Sequence, residues 1–329
     1  MEQPIRVTFL GPIASFSHQA AVETFGSSAD LLPCVSFADA FAAVQEEKAD
    51  YAIIPCENST NGSVVQTLDL LADPNGLYGN VKVCGEHYLT IHHCLLTRKG
   101  DFLPDQEDYK SISRLYTHPQ AWGQCDVFLE KNLKGVERQD VSSTSKGAEI
   151  VSKERSERTA AIASRFAAEH HGLEILAENI EDNANNTTRF LVLVNAQADR
   201  PATVDFNHIK ASVTPGGTAQ KKTLISFMVP QDRAGALADA LLIFKTHGMN
   251  LTSINSRPSQ VKAWKYMFLV EGHLTPTSLN ADAVSGILHG LKQVTEYCRY
   301  LGTWTDQLVP SFEDEAVQYA YTHGDLILQ

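Results

Sequence analysis

The sequence predicts an α/β protein in two folded parts, and three features of the chain support this. Over residues 1–195, short apolar runs alternate with stretches of helical periodicity, which is typical of α/β units. Over residues 221–305 the predicted order changes to strand, helix, strand, strand, helix, strand. Between these parts, residues 196–220 have no regular apolar period and contain Pro215-Gly216-Gly217, so we interpret them as a linker.

The predicted strands of the first part are short, apolar and bounded by Gly, Pro or polar residues. They lie at residues 7–10, 51–54, 87–97, 111–117, 159–163 and 188–194. Helices are predicted between them, most of them behind a Ser or Thr that can accept from free helix N–H groups. They begin near Ser15 or Ser17, Ser36, Gly62, Ala121, Ser143 or Thr144, and Ser164. The short connections predict a largely parallel sheet.

The second part is predicted as a ferredoxin-like module. Strands at residues 223–229, 250–255, 265–270 and 298–303 enclose helices at residues 235–247 and 281–296. This βαββαβ order over about 80 residues is that of a ferredoxin-like fold and is long enough to fold by itself. No element is predicted for the tail, residues 306–329, which mixes acidic and aromatic residues.

Composition and charge exclude several classes of protein. The chain has 329 residues, 43% hydrophobic and 20% charged, as ordinary globular proteins do. Its net charge of −12 argues against a nucleic-acid partner, which needs a basic face. No apolar run is long enough for a membrane span, and no basic start precedes an apolar stretch, so we expect no membrane partner, no signal peptide and a cytoplasmic location.

Cysteine and glycine patterns bear on cofactors. The six cysteines are scattered with no CxxC pair, so we expect reduced thiols rather than three disulfides. The chain has no metal-ligand spacing and no Gly-rich dinucleotide loop. We therefore expect no metal and no cofactor.

Polar side chains follow three predicted strands, where ligands of parallel sheets bind. The run Glu57-Asn58-Ser59-Thr60-Asn61-Gly62-Ser63 comes after a buried strand, Thr117-His118-Pro119-Gln120 and Gln124 follow another, and Asn185-Asn186-Thr187-Thr188-Arg189 precede the last. Such groups beside helix N-termini can bind an anion, and an arginine can clamp a carboxylate. The residues alone equally allow capping loops, a turn and an exposed cation.

Taken in order, these motifs resemble the signatures of the prephenate dehydratase family. The resemblance rests on Gly11-Pro12 with Phe16-Ser17 and Ala20-Ala21, on Glu57-Asn58-Ser59 with Gly62 and Thr67-Leu68-Asp69, on His118-Pro119-Gln120-Ala121 with Gln124-Cys125, and on Thr188-Arg189-Phe190. The second part resembles an ACT domain, an amino-acid-binding module, through Gly235-Ala236-Leu237 and Ser256-Arg257-Pro258. The family usually has Gly-Thr where this chain has Ala14-Ser15, a difference that we expect to change little.

The resemblance implies a two-lobed catalytic domain like a periplasmic binding protein over residues 1–195, and an ACT regulatory domain over residues 221–305. Its activity is the conversion of prephenate to phenylpyruvate without a cofactor. The implied catalytic residues are Thr188, Glu57, Asn58 and Gln124, and the implied substrate-binding residues are Ser59, Thr117, Arg189 and Ser15. Thr188 is assigned to donate a hydrogen bond or proton to the leaving hydroxyl, with Glu57 orienting it or relaying the proton. The segments around Glu57, Gln124 and Thr188 must then line one cleft.

The resemblance also implies regulation by phenylalanine. The implied effector residues are Gly235, Ala236, Leu237, Asn255, Ser256, Arg257 and Pro258. Asn255 stands where the family usually has glutamate, so we expect weaker binding of the effector's ammonium group. ACT modules commonly pair across subunits, which implies a homodimer or homotetramer. No helical chorismate mutase domain precedes Arg6, so we expect no mutase activity.

Three other functions compete with this one. Arogenate dehydratase performs the same chemistry on the transaminated substrate, and the residues do not separate the two. A non-enzymatic sensor of small anions or amino acids shares the two-lobed and ACT folds. A DNA-binding regulator has the least support, because no basic helix accompanies the second part.

Overall fold

Apolar runs and helix caps in the first 199 residues build two mixed sheets with helices between their strands. The computed structural model describes residues 4–101, 109–155, 157–199, 204, 220–274 and 281–308. These fall into two compact units, one of residues 1–70, 77–81 and 87–200 and the other of residues 71–76, 82–86 and 201–329. Most of the predicted linker and tail lies outside the described residues, so the domain boundaries stay a prediction.

The strands along residues 4–199 are β1 (Arg6–Leu10), β2 (Asp30–Cys34), β3 (Tyr51–Asn58), β4 (Gly62–Ser63), β5 (Val81–Thr90), β6 (Cys94–Thr97), β7 (Arg114–Thr117), β8 (Glu137–Asp140), β9 (Thr159–Ala163), β10 (Glu174–Ala177) and β11 (Thr187–Asn195). The helices are α1 (Phe16–Phe25), α2 (Phe37–Gln45), α3 (Val65–Ala72), α4 (Pro119–Trp122), α5 (Asp126–Asn132), α6 (Thr144–Lys153) and α7 (Arg165–His171), with a 3-10 turn at Tyr109–Ser111.

Both sheets contain parallel and antiparallel pairs, unlike the largely parallel sheet that was predicted. The first sheet has the order β2-β1-β3-β11-β5, in which β1 is parallel to β2 and β3 but β11 is antiparallel to β3. The second has the order β10-β6-β9-β7-β8, with β7 parallel to its neighbours and β6 antiparallel to its own. A short apolar run does not encode strand direction, because buried strands of either kind are covered on both faces.

Helix starts agree with the predicted caps. Ser15, Ser36, Ser143 and Ser164 each accept from a backbone N–H in the first turn of the helix that follows. The Asp39 carboxylate in turn accepts a hydrogen bond from the backbone N–H of Ser36, which completes a capping box. These local bonds anchor four helix N-termini directly behind strand ends.

Four strands were not predicted, and two predicted elements are broken. β2, β4, β8 and β10 are exposed or half-buried, so they lack the apolar signal on which a strand prediction depends. The predicted strand 87–97 is interrupted between β5 and β6, and the predicted helix 121–131 is interrupted between α4 and α5. These two breaks place His93 and Gln124 in short connections.

The second unit contains the predicted βαββαβ module. Its elements are β12 (Lys221–Met228), α8 (Ala236–Thr246), β13 (Met249–Pro258), β14 (Tyr266–Leu274), α9 (Ala281–Val294) and β15 (Tyr297–Thr305). The antiparallel order β13-β14-β12-β15 confirms the ferredoxin-like fold. Phe227, Phe244, Ile287 and Leu291 form the core between sheet and helices.

No described helix of the chain combines the length and apolar content needed to cross a bilayer.

A buried ionic cluster joins four side chains of the second unit. The Lys222 ammonium lies 3.1 Å from Glu86 Oε1 and 2.9 Å from Asp306 Oδ1, and His273 Nε2 lies 2.9 Å from Asp306 Oδ2. Burial by itself raises the pKa of Asp306, but its bonds with His273 and Lys222 outweigh burial and hold that pKa well below the ordinary 3.8. The cluster therefore depends on an ionised Asp306.

We expect Asp306→Asn to lower the free energy of unfolding at pH 7 by about 1.5–3 kcal/mol, the worth of hydrogen bonds to a charged group. A carboxyl whose folded pKa is depressed stabilises the fold above its unfolded pKa and loses that contribution as pH falls. The deficit of the variant should thus shrink below about pH 4. Urea unfolding measures this free energy at each pH, with the fluorescence of Trp304, which is buried in β15, as the signal. The exposed Asp232→Asn variant is the control. A deficit that does not change with pH would contradict the assignment.

Gly302 permits a close backbone approach within the second unit. Its φ is +145°, and a Cβ placed there would overlap the backbone of Val83. A side chain at this position would meet both backbone strain and rigid backbone atoms.

Gly302→Ala should therefore destabilise the protein by about 2 kcal/mol or more, measured as a shift of the urea midpoint. Gly123→Ala is the matched control, because Gly123 has φ −72° and open space around its Cα. The control should stay within about 0.5 kcal/mol of wild type. Equal midpoints for Gly302→Ala and wild type would show that Val83 does not pack against this strand.

Candidate functional site

A cavity of about 560 Å³ lies in the first unit, where loops from its two sheets meet. The first sheet contributes the loop after β1, the end of β3 with the start of α3, and the start of β11. The second sheet contributes the starts of α4 and α6 and the connection before α5. Asn58, Gln124 and Thr188 all line it. The three polar segments singled out in the sequence thus converge on one cavity.

The pairing of β3 with β11 brings Asn58 and Thr188 together. They are partners in the antiparallel register, and Asn58 Nδ2 donates to Thr188 Oγ1 over 3.0 Å and to Asn186 Oδ1 over 2.8 Å. Asn58 Oδ1 in turn accepts from the backbone N–H groups of Thr60 and Asn61 at 3.0 and 2.9 Å. The amide is held at both ends, so its donor is fixed toward the threonine hydroxyl.

A β-bulge shapes this wall of the cavity. Arg189 pairs with Glu57 while Phe190 pairs with Pro55, which leaves Cys56 as the extra residue of β3. A bulge of this kind bends the strand and changes which side chains share a face. Pro55 and Asn58 consequently both line the cavity, although strict alternation would place them on opposite faces.

Four of the eight sequence-predicted residues, Ser15, Asn58, Gln124 and Thr188, line the cavity. The Ser15 hydroxyl donates to the Leu10 carbonyl oxygen at 3.2 Å and accepts from the His18 N–H at 3.3 Å. It is therefore engaged mainly in shaping the loop at the start of α1.

The other four lie off the lining. Glu57 and Arg189 pair with each other on the opposite face of the two strands, with 3.9 Å between Oε2 and Nη1 and exposed fractions of 46% and 9%. Ser59 accepts from the Thr187 N–H at 2.9 Å. Thr117 is fully buried and donates to the Ile162 carbonyl oxygen at 2.7 Å, which leaves its side chain no exposed surface for a substrate.

The electrostatics of the cavity come from dipoles rather than charged side chains. None of the described residues that line it is Asp, Glu, Lys or Arg. The first turns of α1, α3 and α6 border it instead, with Ser15 and Ser143 as caps. First-turn N–H groups have no partner within the helix, and the helix dipole adds positive potential there. The cavity therefore favours an anion without offering it a fixed cation.

Sequence reasoning missed His93 and the run Ser142-Ser143-Thr144 as lining residues, and it placed His118 in a polar strand-end segment without giving it a role. The run Ser142-Ser143-Thr144 follows the same pattern as the other polar segments, in which a strand end is followed by hydroxyl side chains and a helix. The strand before it, β8, is wholly exposed and was therefore not predicted. His118 Nδ1 accepts from the Gln120 N–H at 3.3 Å and caps α4, and burial lowers its pKa. His93 had no local signal, because it lies inside an apolar run.

The predicted effector residues lie at two places in the second unit. Gly235, with φ +81°, is the N-cap of α8, and Ala236 and Leu237 form its first turn. Asn255, Ser256, Arg257 and Pro258 end β13, which is an edge strand. Asn255 Nδ2 donates to Ser253 Oγ at 3.0 Å. Effector binding by these residues stays a prediction.

Ala14-Ser15, which stands where the family usually has Gly-Thr, affects the backbone before α1. Ala14 has φ +63°, a conformation that glycine adopts more readily than alanine. Its side chain is nevertheless almost fully buried in the core beneath the second sheet. Burial of the methyl group thus offsets part of the backbone strain that a glycine would avoid.

Comparisons with known proteins show which family this chain belongs to. A sequence model of the family described as prephenate dehydratase matches residues 7–198. The bifunctional chorismate mutase/prephenate dehydratase of Aquifex aeolicus is 39% identical over 311 residues, 94% of this chain and 76% of the relative. The arogenate dehydratase/prephenate dehydratase 2 of Arabidopsis thaliana, described as chloroplastic, is 31% identical over 309 residues, 91% of this chain and 72% of the relative.

A solved structure extends the similarity to the whole chain. The prephenate dehydratase of Arthrobacter aurescens in complex with L-Phe has a TM-score of 0.74 at 28% identity, and the match covers 97% of this chain and 98% of that one. The family model spans more than half of the present chain and includes Asn58, Gln124 and Thr188. This chain belongs to the prephenate dehydratase family.

Proposed function

We propose that this protein is an enzyme, a prephenate dehydratase that forms phenylpyruvate in phenylalanine biosynthesis. Prephenate carries a ring carboxylate, a pyruvyl carboxylate and a ring hydroxyl. The bond to the ring carboxylate breaks and releases carbon dioxide, while its electron pair enters the ring. In the same step the carbon–oxygen bond of the ring hydroxyl breaks, and the departing hydroxide takes one proton and leaves as water. Aromaticity of the product drives the reaction once the hydroxyl can leave.

The orientation of the Thr188 hydroxyl is the observation that carries this proposal. Because the Asn58 amide donates to Oγ1, one lone pair of that oxygen is occupied and its own hydrogen is free to point elsewhere. Thr188 lines the cavity, so the free donor is available to the leaving oxygen. A threonine is a weak acid, but a hydrogen bond to a departing hydroxide stabilises charge that develops only in the transition state.

Substrate binding follows from the dipoles around the cavity. The two carboxylates of prephenate would meet first-turn N–H groups of α1, α3 and α6 together with the Gln124 amide. An acidic side chain on the lining would repel such a dianion. We assign the pyruvyl carboxylate to these donors, since it must be anchored for the ring to be aimed.

Apolar side chains in the same cavity favour loss of the other carboxylate. Phe16, Phe37, Ile91 and Phe190 line it beside the polar groups. A carboxylate facing such side chains loses solvation, and this penalty is relieved as it becomes neutral carbon dioxide. Glu57 and Arg189 are proposed to support the β3–β11 pairing behind Asn58 and Thr188 rather than to touch the substrate.

Removing the Thr188 hydroxyl should abolish most turnover. We expect Thr188→Val to lower kcat for prephenate by about 10²-fold or more, the usual size for loss of acid catalysis, with the thermal unfolding midpoint unchanged. Thr188→Ser keeps the hydroxyl and should retain most activity. Thr187→Val is the matched control, because the neighbouring Thr187 lies off the cavity lining. Near-normal kinetics of a folded Thr188→Val variant would remove this residue from the mechanism.

The cavity favours prephenate over arogenate. Arogenate carries an ammonium group in place of the ketone of prephenate, and none of the described lining residues supplies a carboxylate to pair with it. We expect kcat/KM to be at least about tenfold higher for prephenate, which corresponds to about 1.4 kcal/mol. Assays of the purified protein on both substrates at neutral pH test this, and a preference for arogenate would contradict it.

We propose that the second unit is an ACT domain through which phenylalanine inhibits the enzyme. The proposal is supported by its ferredoxin-like topology, by the resemblance at residues 235–237 and 256–258, and by the L-Phe complex of the Arthrobacter aurescens structure. We further propose a homodimer or homotetramer in the cytoplasm. Phenylalanine must then bind one arrangement better than another, because only differential affinity shifts an equilibrium.

A charge at position 255 should strengthen inhibition. If this position faces the effector's ammonium group, Asn255→Glu should lower the phenylalanine concentration for half inhibition by about fivefold or more, the worth of about 1 kcal/mol. Asn250→Glu, at an exposed site near the other end of β13, is the control. An unchanged inhibition curve for Asn255→Glu would place the effector elsewhere.

A further inference from the structure

His93 contacts one of the substrate-facing residues from behind. It lines the cavity with only 1% of its surface exposed, and its Nε2 lies 2.8 Å from Gln124 Oε1. Its ring meets Phe16 edge-on at 5.7 Å between centroids. No other function assigned above uses this side chain.

One short segment fixes the backbones of both residues. The Ile180 N–H donates to the His93 carbonyl oxygen at 3.0 Å, and the Asp182 N–H donates to the Gln124 carbonyl oxygen at 2.7 Å. Between them, the Glu181 carboxylate accepts from the His93 N–H at 2.8 Å. His93 and Gln124 interrupt different predicted elements, yet residues 180–182 hold them in a fixed relative position.

The surroundings of the ring determine its tautomer. His93 Nδ1 is buried and has no hydrogen-bond partner among the described residues. The atom 2.8 Å from Nε2 is an amide oxygen, which can only accept, so the proton belongs on Nε2. Burial also lowers the pKa of His93, which keeps the ring neutral. In this tautomer Nε2–H donates to Gln124 Oε1.

On the basis of the function proposed above, we propose that His93 is a positioning residue that turns the Gln124 carboxamide so that its N–H groups face the substrate. With Oε1 occupied by His93, the amide can offer only donors to the cavity. The opposite orientation would present a carbonyl oxygen to a dianion. His93 thereby contributes to selectivity for an anionic substrate without touching it.

Kinetics of paired variants test this. His93→Phe removes the donor, and misplacing the amide should lower kcat/KM for prephenate by about tenfold to 10²-fold. His93→Gln places an amide N–H where Nε2 lies and should restore most of the loss, whereas His93→Asn should not. His170→Gln is the control, because this histidine of α7 is exposed and lies off the cavity lining. Thermal unfolding identifies any variant that fails to fold.

A double variant separates positioning from general packing. If His93 acts through Gln124, then His93→Phe should cost nothing further in a Gln124→Ala background, and the two single variants should change KM and kcat in the same ratio. Losses that multiply would show that His93 acts independently and would overturn the proposal. An active, folded His93→Phe variant would do the same.

Nuclear magnetic resonance provides a readout that does not need activity. In the wild-type protein at neutral pH, long-range proton–nitrogen spectra, assigned by comparison with His93→Gln, should show an unprotonated Nδ1 and a protonated Nε2. A protonated Nδ1 would overturn the proposal even if the protein dehydrates prephenate. Conversely, if the wild-type protein leaves prephenate unchanged, the proposed function is wrong, but the tautomer of His93 still tests its hydrogen bond to Gln124.

Discussion

The antiparallel register between β3 and β11 is the constraint on which the site depends. It joins residues about 130 positions apart in sequence and sets Thr188 opposite Asn58. Side chains alternate along a strand, so a slip of β11 by one residue would turn Arg189 toward the cavity in place of Thr188. The amide that orients the hydroxyl and the neutrality of this cavity wall both follow from that single pairing.

The cavity can hold an anion without a cation among its described lining residues. Asn58, Gln124 and Thr188 present amides and a hydroxyl, and helix N-termini supply the positive potential. A fixed ammonium or guanidinium would hold the departing carboxylate in its charged form and oppose its loss. In the proposed function, dipoles anchor one carboxylate while the apolar wall leaves the other poorly solvated, which suits a reaction that expels carbon dioxide and water together.

Breaks between regular elements determine where two further polar side chains of the cavity, His93 and Gln124, lie. The break between β5 and β6 carries His93, and the break between α4 and α5 carries Gln124. Backbone bonds from residues 180–182 join these two connections, so positions in separate elements act as one rigid piece. In the second unit, the buried ion pairs around Lys222 similarly link β12, β14 and residue 306.

Local patterns in the sequence predicted most of the elements and the choice of segments. Apolar period, serine caps and polar strand ends predicted the α/β and βαββαβ parts and pointed to the segments around Asn58, Gln124 and Thr188. These signals are local because capping and burial act within one or two turns of chain. The family resemblance then supplied the reaction.

Only the tertiary structure decided strand direction, register and which side of each strand faces the cavity. Glu57 and Asn58 are equally polar neighbours, yet one pairs with Arg189 and the other with Thr188. Thr117 follows the same strand-end pattern as the lining residues but is sealed inside the second sheet. His93 gave no signal at all. In each case the deciding contact comes from a segment distant in the chain, and no local pattern encodes that partner.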